Sequence, residues 1–216
     1  MTLTAAAQEL DSARDRQDRP ALDAIVARLS QAALKSPNDA GAHYRLAVAR
    51  SYLAEVYLEV GDKPGARAAA EAGIGDAQRA VALKANAADY HRVLGTLCGQ
   101  VIPANLLLAL KYGKCAKESI DKALELDPKS PDAYLSRGVG NYYLPPALGG
   151  GLEPAIRDFR KAIELSPKSA EAQLWLGIAL RKAGRNAEAR AALKKSLELD
   201  PNRIWAKQQF DKTPAK

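Results

Sequence analysis

The sequence predicts an all-α protein built from repeated helical hairpins, and three observations support this prediction. Alanine is abundant and β-branched residues are sparse, which favours helices packed closely through small side chains. Segments with the same ending recur along the 216 residues. Hydrophobic residues make up 47% of the chain and charged residues 26%, which excludes a disordered chain.

The recurring segments share a final position that marks the end of each hairpin. The segments are LSQAALKSPND, AQRAVALKANA, IDKALELDPKS, FRKAIELSPKS and LKKSLELDPNR, and the final position holds Pro37, Ala85, Pro128, Pro167 and Pro201. Proline ends a helix because it cannot continue the hydrogen-bond ladder. Ten residues after the first four of these positions stand Ala47, Gly95, Gly138 and Gly177. These small residues allow the two helices of a hairpin to touch.

The last full repeat, residues 170–203, resembles the tetratricopeptide repeat family without gaps. Its matching residues are Leu176, Gly177, Leu180, Ala189, Leu193, Ser196 and Pro201, at family positions 7, 8, 11, 20, 24, 27 and 32. The resemblance implies a right-handed α-solenoid of stacked helix-turn-helix hairpins. The segment NRIWAKQQF, which follows Pro201, supplies a C-terminal capping helix.

The repeats are expected to form a single domain over residues 1–216. Their limits are about 6–39, 40–87, 88–130, 131–169 and 170–203, with the cap over 201–211. The final positions are 48, 43, 39 and 34 residues apart, so the first three full repeats carry insertions between their helices. The first insertion predicts one long hairpin, roughly 40–60 and 64–84, that turns at Gly61-Asp62-Lys63. The others contain Val101–Leu110 and Leu144–Gly151.

A narrower resemblance rests on the segment YYLPPALGGGLEPAIRDFRKAIELSP. It is similar to a subset of bacterial tetratricopeptide proteins with a Pro-then-Gly-Gly insertion, including the T component of TRAP-type transporters. Relatives of that kind are often periplasmic, but this chain has no lipobox cysteine near its start. The N-terminus has no apolar signal region. The localisation stays open: cytoplasmic as the sequence stands, and periplasmic if a leader precedes it.

The family resemblance also implies a binding surface, because the first helix of each repeat lines a concave face. Carried over to this sequence, the partner-binding residues are Tyr44, Tyr52, Arg92, Tyr142, Tyr143, Arg181 and Lys182. Tyrosine combines contact area with a polar tip. Together with Arg92, Arg181 and Lys182, the tyrosines are expected to suit a peptide or an apolar ligand with an anionic end. The alternative is that these tyrosines only line a solvated groove or pack beneath the long inserted hairpin.

No catalytic, metal or cofactor site is expected. His43 and His91 are the only histidines, and both fall at a packing position of the repeat. The glycine-rich loop lacks the Gly-Lys-Ser/Thr of a phosphate loop, so it is predicted to fix a hairpin corner. Cys98 and Cys115 lie on paired helices, and both a disulfide bond and free thiols remain open.

Charge and hydrophobicity add further expectations about partners. Residues 181–216 contain 10 Lys/Arg and 4 Asp/Glu, but aromatic residues are few there, so nucleic-acid binding is not expected. No apolar run is long enough to span a membrane. The apolar run Val101–Leu110 either contacts a ligand, a partner subunit or lipid, or is covered by the neighbouring hairpin. Self-association is an open question.

Together these observations predict a non-catalytic scaffold that binds a protein or peptide on the concave face. The alternative is a solute-handling accessory protein, similar to the TRAP T component, that holds a small apolar or anionic ligand near the inserted loops.

Overall fold

The computed structural model describes residues 3–105 and 107–215, and in these residues it contains eleven α-helices and no strand. The helices are α1 (Leu3–Asp15), α2 (Arg19–Lys35), α3 (Ala40–Glu59), α4 (Lys63–Leu83), α5 (Ala88–Val101), α6 (Leu108–Leu126), α7 (Pro131–Tyr143), α8 (Leu152–Leu165), α9 (Ala170–Lys182), α10 (Asn186–Leu199) and α11 (Ile204–Asp211). Short 3₁₀ helices follow α5 and α7, at Ile102–Ala104 and Pro146–Leu148. The all-α prediction is confirmed.

Local sequence explains where many helices begin. Side-chain oxygens accept a hydrogen bond from a backbone N–H in the first turn of five helices; these residues are Asp18, Asp39, Asp62, Ser130 and Ser169. Such caps satisfy an N–H that has no partner within its own helix. Proline stands in the first turn of α2, α4 and α7, where a missing N–H costs nothing.

The chain divides into two compact units, of which unit 1 is Met1–Pro128. Unit 1 contains the hairpins α1/α2, α3/α4 and α5/α6. The longest hairpin, α3/α4, turns at Gly61, whose φ of +82° favours glycine. The hairpin predicted from the first insertion is confirmed within one residue at each end. Alanines such as Ala47, Ala70 and Ala77 are buried at its core, which lets its helices approach closely.

A disulfide bond joins the two helices of the α5/α6 hairpin. It links Cys98 to Cys115, whose Cα atoms are 6.0 Å apart. Cys98 is completely buried in the unit 1 core. Of the two alternatives that the sequence leaves open, the structure has the bridge.

The apolar insertion after α5 is partly packed and partly exposed. Val101 is buried, and Leu108 packs against the unit 1 core. Leu107 and Leu110 instead leave 70% and 86% of their surfaces exposed. Leu106 lies outside the described residues. Among the helices that the structure describes, none has both the length and the apolar character needed to cross a bilayer.

Unit 2, Lys129–Lys216, contains the hairpins α7/α8 and α9/α10 and the single helix α11. Helix α11 packs Ala206 and Phe210 against Ile178 and Leu193, so the predicted capping helix is present. Each unit has its own hydrophobic clusters. The single-domain organisation therefore stays a prediction.

Candidate partner-binding surfaces

The site residues that the sequence predicts fall in both units. Tyr44, Tyr52 and Arg92 belong to unit 1, whereas Tyr142, Tyr143, Arg181 and Lys182 belong to unit 2. The surroundings of these residues differ, and the two groups are therefore described separately.

In unit 1, Tyr44 and Arg92 come together at one small polar patch. The ring of Tyr44 stacks on Tyr90 with centroids 4.6 Å apart. The Tyr44 hydroxyl donates to Asp89 Oδ2 at 3.4 Å, and Arg92 Nε donates to Asp89 Oδ1 at 2.8 Å. Burial raises the pKa of Tyr44, so its hydroxyl remains a hydrogen-bond donor at neutral pH. The patch offers a half-exposed carboxylate beside an aromatic pair.

Tyr52 is less accessible than this patch because α1 packs against it. Its ring packs with the cluster that contains Leu22, Ile25 and Leu53. The guanidinium of Arg14, on α1, sits 4.7 Å from the ring centroid. Burial raises the pKa of Tyr52. Tyr52 is therefore part of the packing between the first two hairpins and is not included in the surface proposed below.

In unit 2, Tyr142, Tyr143 and Trp175 form a compact aromatic cluster. The centroids of Tyr142 and Tyr143 are 4.9 Å apart at an interplanar angle of 89°, and that of Trp175 is 5.8 Å from Tyr142. Edge-to-face contacts of this kind are favourable because the positive ring edge meets the negative ring face. The side chain of Tyr143 is 56% exposed. The cluster therefore combines fixed ring positions with an accessible aromatic surface.

Lys182 adds a positive charge to this aromatic cluster. Its Nζ lies 4.2 Å from the centroid of the Tyr142 ring, a cation–π contact, while the side chain stays exposed. Partial burial raises the pKa of Tyr142, and it raises the pKa of Tyr143 to about 12. Both hydroxyls are consequently neutral donors at physiological pH.

Arg181, the neighbour of Lys182 in the sequence, has a different structural role. Its guanidinium donates to the Gln209 backbone oxygen at 3.1 Å and to Gln209 Oε1 at 2.7 Å, so it holds α11. Nearby, the fully buried Arg203 pairs with Glu171 at 3.3 Å at the start of α11. Arg181 is therefore not part of the surface that we propose to bind a partner.

A hydrogen-bonded loop with exposed apolar residues adjoins the aromatic cluster directly in sequence. Gly151 N donates to the Asn141 carbonyl at 2.8 Å and closes the loop, while Gly150 N and Leu148 N both donate to the Pro145 carbonyl. Gly149 has a φ of +86°, which only glycine adopts easily. The predicted hairpin corner is present. Its exposed apolar residues are Leu144, Pro145, Pro146, Ala147 and Leu148.

Trp175 is absent from the residues that the sequence predicts for the site, although a signal for it exists. It lies seven residues before Lys182 on α9, which places both side chains on the same helix face. The residue before it, Leu174, is completely buried against α11 and offers no accessible surface. The seven-residue spacing of Trp175 and Lys182 on α9 is the signal that could have identified Trp175.

Two buried or partly buried aspartates at equivalent repeat positions are also absent from the predicted set, and both serve to join helices. Asp158 on α8 accepts hydrogen bonds from Arg137 at 2.7 Å and from Asn141 at 2.8 Å. Asp76 on α4 accepts one from Arg50 at 2.6 Å. Burial raises the pKa of Asp76, while Arg50 lowers it. Asp158 and Asp76 each join the two helices of their hairpin, and neither contacts the aromatic cluster.

The two histidines have equivalent structural contacts in successive repeats. His43 Nε2 donates to the Pro37 carbonyl at 3.2 Å, and His91 Nε2 donates to the Ala85 carbonyl at 2.8 Å. Each contact ties a first helix to the loop before it. Across residues 3–105 and 107–215, no three His, Cys, Asp or Glu side chains group in a way that would hold a metal ion.

Paired helices with small residues at their contacts and a capping helix define a tetratricopeptide-repeat protein of the α-solenoid class. The tetratricopeptide repeat profile matches residues 150–204. The profile described as regulator of microtubule dynamics protein 1-3 matches residues 3–144, well over half of the chain. The chain belongs to this family.

Solved structures support the same fold. A thermophilic tetratricopeptide protein of Thermus thermophilus is 21% identical, with a TM-score of 0.66, covering 89% of this chain and 90% of that one. The HusA haemophore of Porphyromonas gingivalis is 18% identical, with a TM-score of 0.61, and the match covers 83% of this chain and 95% of that one. A comparison with curated proteins gives no significant match. The resemblance to the TRAP T component stays a prediction.

Proposed function

We propose that the protein is a non-catalytic scaffold that binds a segment of a partner protein, and that unit 2 provides the main contact through Tyr142, Tyr143 and Lys182. The observation that carries this proposal is the aromatic cluster, whose outermost ring, Tyr143, is 56% exposed beside a hydrogen-bonded loop with exposed apolar residues. Exposed aromatic residues in fixed positions are typical centres of binding energy.

The chemistry of this surface indicates what the bound segment contains. Tyr143, Leu144 and Leu148 offer apolar contact area without a charged side chain between them. Lys182 offers an ammonium group at the edge of the cluster. We therefore expect an extended segment with apolar side chains and a nearby carboxylate. Because the loop is already ordered, little conformational entropy is lost on binding.

The family to which the chain belongs supports a role in protein binding. Its name describes regulators of microtubule dynamics. Control of a protein polymer requires contact with a protein, which a tetratricopeptide scaffold supplies through its helix faces. The Tyr44, Asp89 and Arg92 patch of unit 1 is a second, more polar contact in this proposal.

A second candidate function is binding of a small solute, and one cavity favours it. This cavity of about 260 Å³ lies in unit 1 and is half open to solvent; Leu34, Leu46, His43, Arg50 and Asp76 are among the residues that line it. Its place among α2, α3 and α4 differs from the predicted place near the inserted loops. Solute binding therefore ranks second.

The test of the scaffold is partner capture followed by affinity measurement. The full chain, tagged at its N-terminus, is used to isolate partners from the source organism, and each purified partner is titrated against variants. Truncation of an aromatic hot spot costs about 2 kcal/mol. The Tyr142→Ala/Tyr143→Ala double variant is expected to weaken binding by about thirtyfold or more. Lys182→Ala is expected to weaken it most at low salt.

Tyr134→Ala is the matched control, because Tyr134 lies on the same helix but contacts Arg137 and not the cluster. Circular dichroism checks that each variant stays folded. A partner that binds the double variant and the wild type equally would show that the proposed surface is not the binding site.

A further inference from the structure

Four exposed residues lie on one side of the helix at the beginning of α6. They are Leu107, Leu110, Lys111 and Lys114, here called the α6 tip face, and their spacing of i, i+3, i+4 and i+7 places them on the same side of a helix. Leu110 is 86% exposed, and the Lys114 side chain is 80% exposed. Leucines this exposed in a cluster are unusual unless they bind something.

The opposite side of α6 is fixed to unit 1, so the α6 tip face has one defined orientation. Leu108 packs on the unit 1 core, and the Tyr112 hydroxyl donates to Glu71 Oε1 at 2.9 Å. One turn further, Cys115 is bonded to Cys98. Rotation of the helix would break all three contacts. The leucines therefore remain directed away from the core of their own unit.

Charge along α6 is ordered by distance from the leucines. Lys111, Lys114 and Lys117 follow within about 15 Å of Leu107, at 1.5 Å per residue. The acidic residues Glu118 and Asp121 come only after them, and residues 90–117 contain no Asp or Glu at all. Along α6, an apolar tip (Leu107 and Leu110) is thus followed by lysines, and the acidic residues of this helix lie beyond both. From α4, Glu71 reaches Tyr112 beside Lys111, but Glu71 is itself paired with Arg67 at 3.1 Å.

We propose that the α6 tip face docks the protein onto a membrane surface rich in anionic lipid. Leu107 and Leu110 enter the boundary between headgroups and acyl chains, while the lysines extend their ammonium groups to lipid phosphates and carboxylates. The leucines match the acyl chains and the lysines match the anionic headgroups, while the acidic residues of α6 lie farther along the helix. This docking is peripheral and uses residues of unit 1 only.

A membrane fits these observations better than a protein groove does. Side chains that are 70% and 86% exposed project from the molecule, and a projecting leucine pair inserts into a soft apolar medium without a shaped receptor. The α6 tip face also has no aromatic residue or arginine, which are the usual anchors of protein interfaces. The pairs Lys114–Glu118 and Lys117–Asp121 are exposed, so they are weak enough to rearrange towards lipid.

Vesicle co-sedimentation of the full chain tests the proposal. The probes are phosphatidylcholine vesicles with and without phosphatidylserine. The wild type is expected to sediment with the anionic vesicles only. The Leu107→Ser/Leu110→Ser variant is expected to lose about tenfold or more in partitioning, because each buried leucine contributes on this scale. Lys111→Gln/Lys114→Gln is expected to lose about fivefold per lysine.

Two matched control variants distinguish membrane binding by the α6 tip face from binding caused by the overall positive charge of the protein. Leu34→Ser removes another leucine of unit 1 that is 73% exposed, and Lys35→Gln/Lys63→Gln removes the same charge elsewhere in unit 1. Both controls are expected to bind as the wild type does. If the basic residues of 181–216 were the cause of vesicle binding, the leucine variant would sediment as well as the wild type, and the proposal would be wrong.

A tryptophan introduced at the tip reports insertion directly. In Leu110→Trp, fluorescence is expected to shift to the blue with anionic vesicles and to be quenched by brominated acyl chains. Trp175 and Trp205 belong to unit 2, and the wild type gives their background signal. The proposal is overturned if the wild type does not bind phosphatidylserine vesicles, or if brominated chains quench Leu110→Trp no more than this background. Capture of a protein by the tip without vesicle binding also overturns it.

Discussion

Gly138 and Gly177 mark the points in unit 2 where paired helices touch. A Cβ atom at residue 177 would lie 2.5 Å from Leu193 Cγ and 3.1 Å from the Ala189 carbonyl oxygen. At residue 138 a Cβ atom would meet the ring of the fully buried Phe159. The absence of a side chain at these positions is therefore a packing requirement, because both neighbours are themselves packed in the core.

We expect Gly177→Ala to destabilise the protein by about 1–3 kcal/mol through overpacking. Gly140→Ala is the matched control in the same unit, because a Cβ atom there meets nothing within 4 Å. In a helix interior that change is expected to stabilise by up to about 1 kcal/mol. Urea unfolding of the two variants measures both values, and equal destabilisation would contradict the close-contact explanation.

Single residues also show what the pattern of the repeat family does not predict, namely which side chains remain accessible. Position in the repeat correctly indicates small residues at helix contacts, because the contact lies within one hairpin. Position in the repeat does not reveal that α1 covers Tyr52 or that Arg181 binds α11, because these contacts are made with helices outside the repeat concerned. Local periodicity predicts local packing, whereas accessibility depends on distant parts of the chain.

At the scale of elements, the insertions make the hairpins differ from one another. Seven extra residues in each helix lengthen α3 and α4 by about two turns and keep their facing sides in phase. The lengths of α3 and α4 are predictable because they follow from the spacing between the final positions of successive repeats. The insertion after α5 behaves differently, since a uniformly apolar run has no polar side to indicate which residues become exposed.

The α5/α6 hairpin contains the disulfide, and its stability is expected to depend on redox state. The bond closes a loop with a sequence separation of 17 residues. A loop of this size constrains the unfolded chain by about 3 kcal/mol. Adding a reductant should lower the unfolding free energy of the wild type by up to this amount. The Cys98→Ala/Cys115→Ala variant should show no response, and an equal response would exclude the disulfide as the cause.

For the whole molecule, the fold class was predictable from the sequence and the division into two units was not. The same repeat signature continues through residues 120–130 and into the next hairpin, so the sequence carries no mark of a boundary at Pro128. The candidate surface was predictable in part. Tyr142, Tyr143 and Lys182 do lie together, but Trp175 completes the cluster through tertiary packing that periodicity of a single helix only hints at.

The measurement that tests the central claim most directly is hydrogen–deuterium exchange of the full chain with and without a captured partner. We predict slower exchange in the last turn of α7, in residues 144–151 and in α9, because the partner segment lies across the aromatic cluster and its loop. Protection confined to the helices of unit 1, with residues 139–151 unchanged, would contradict the assignment of the binding surface to unit 2.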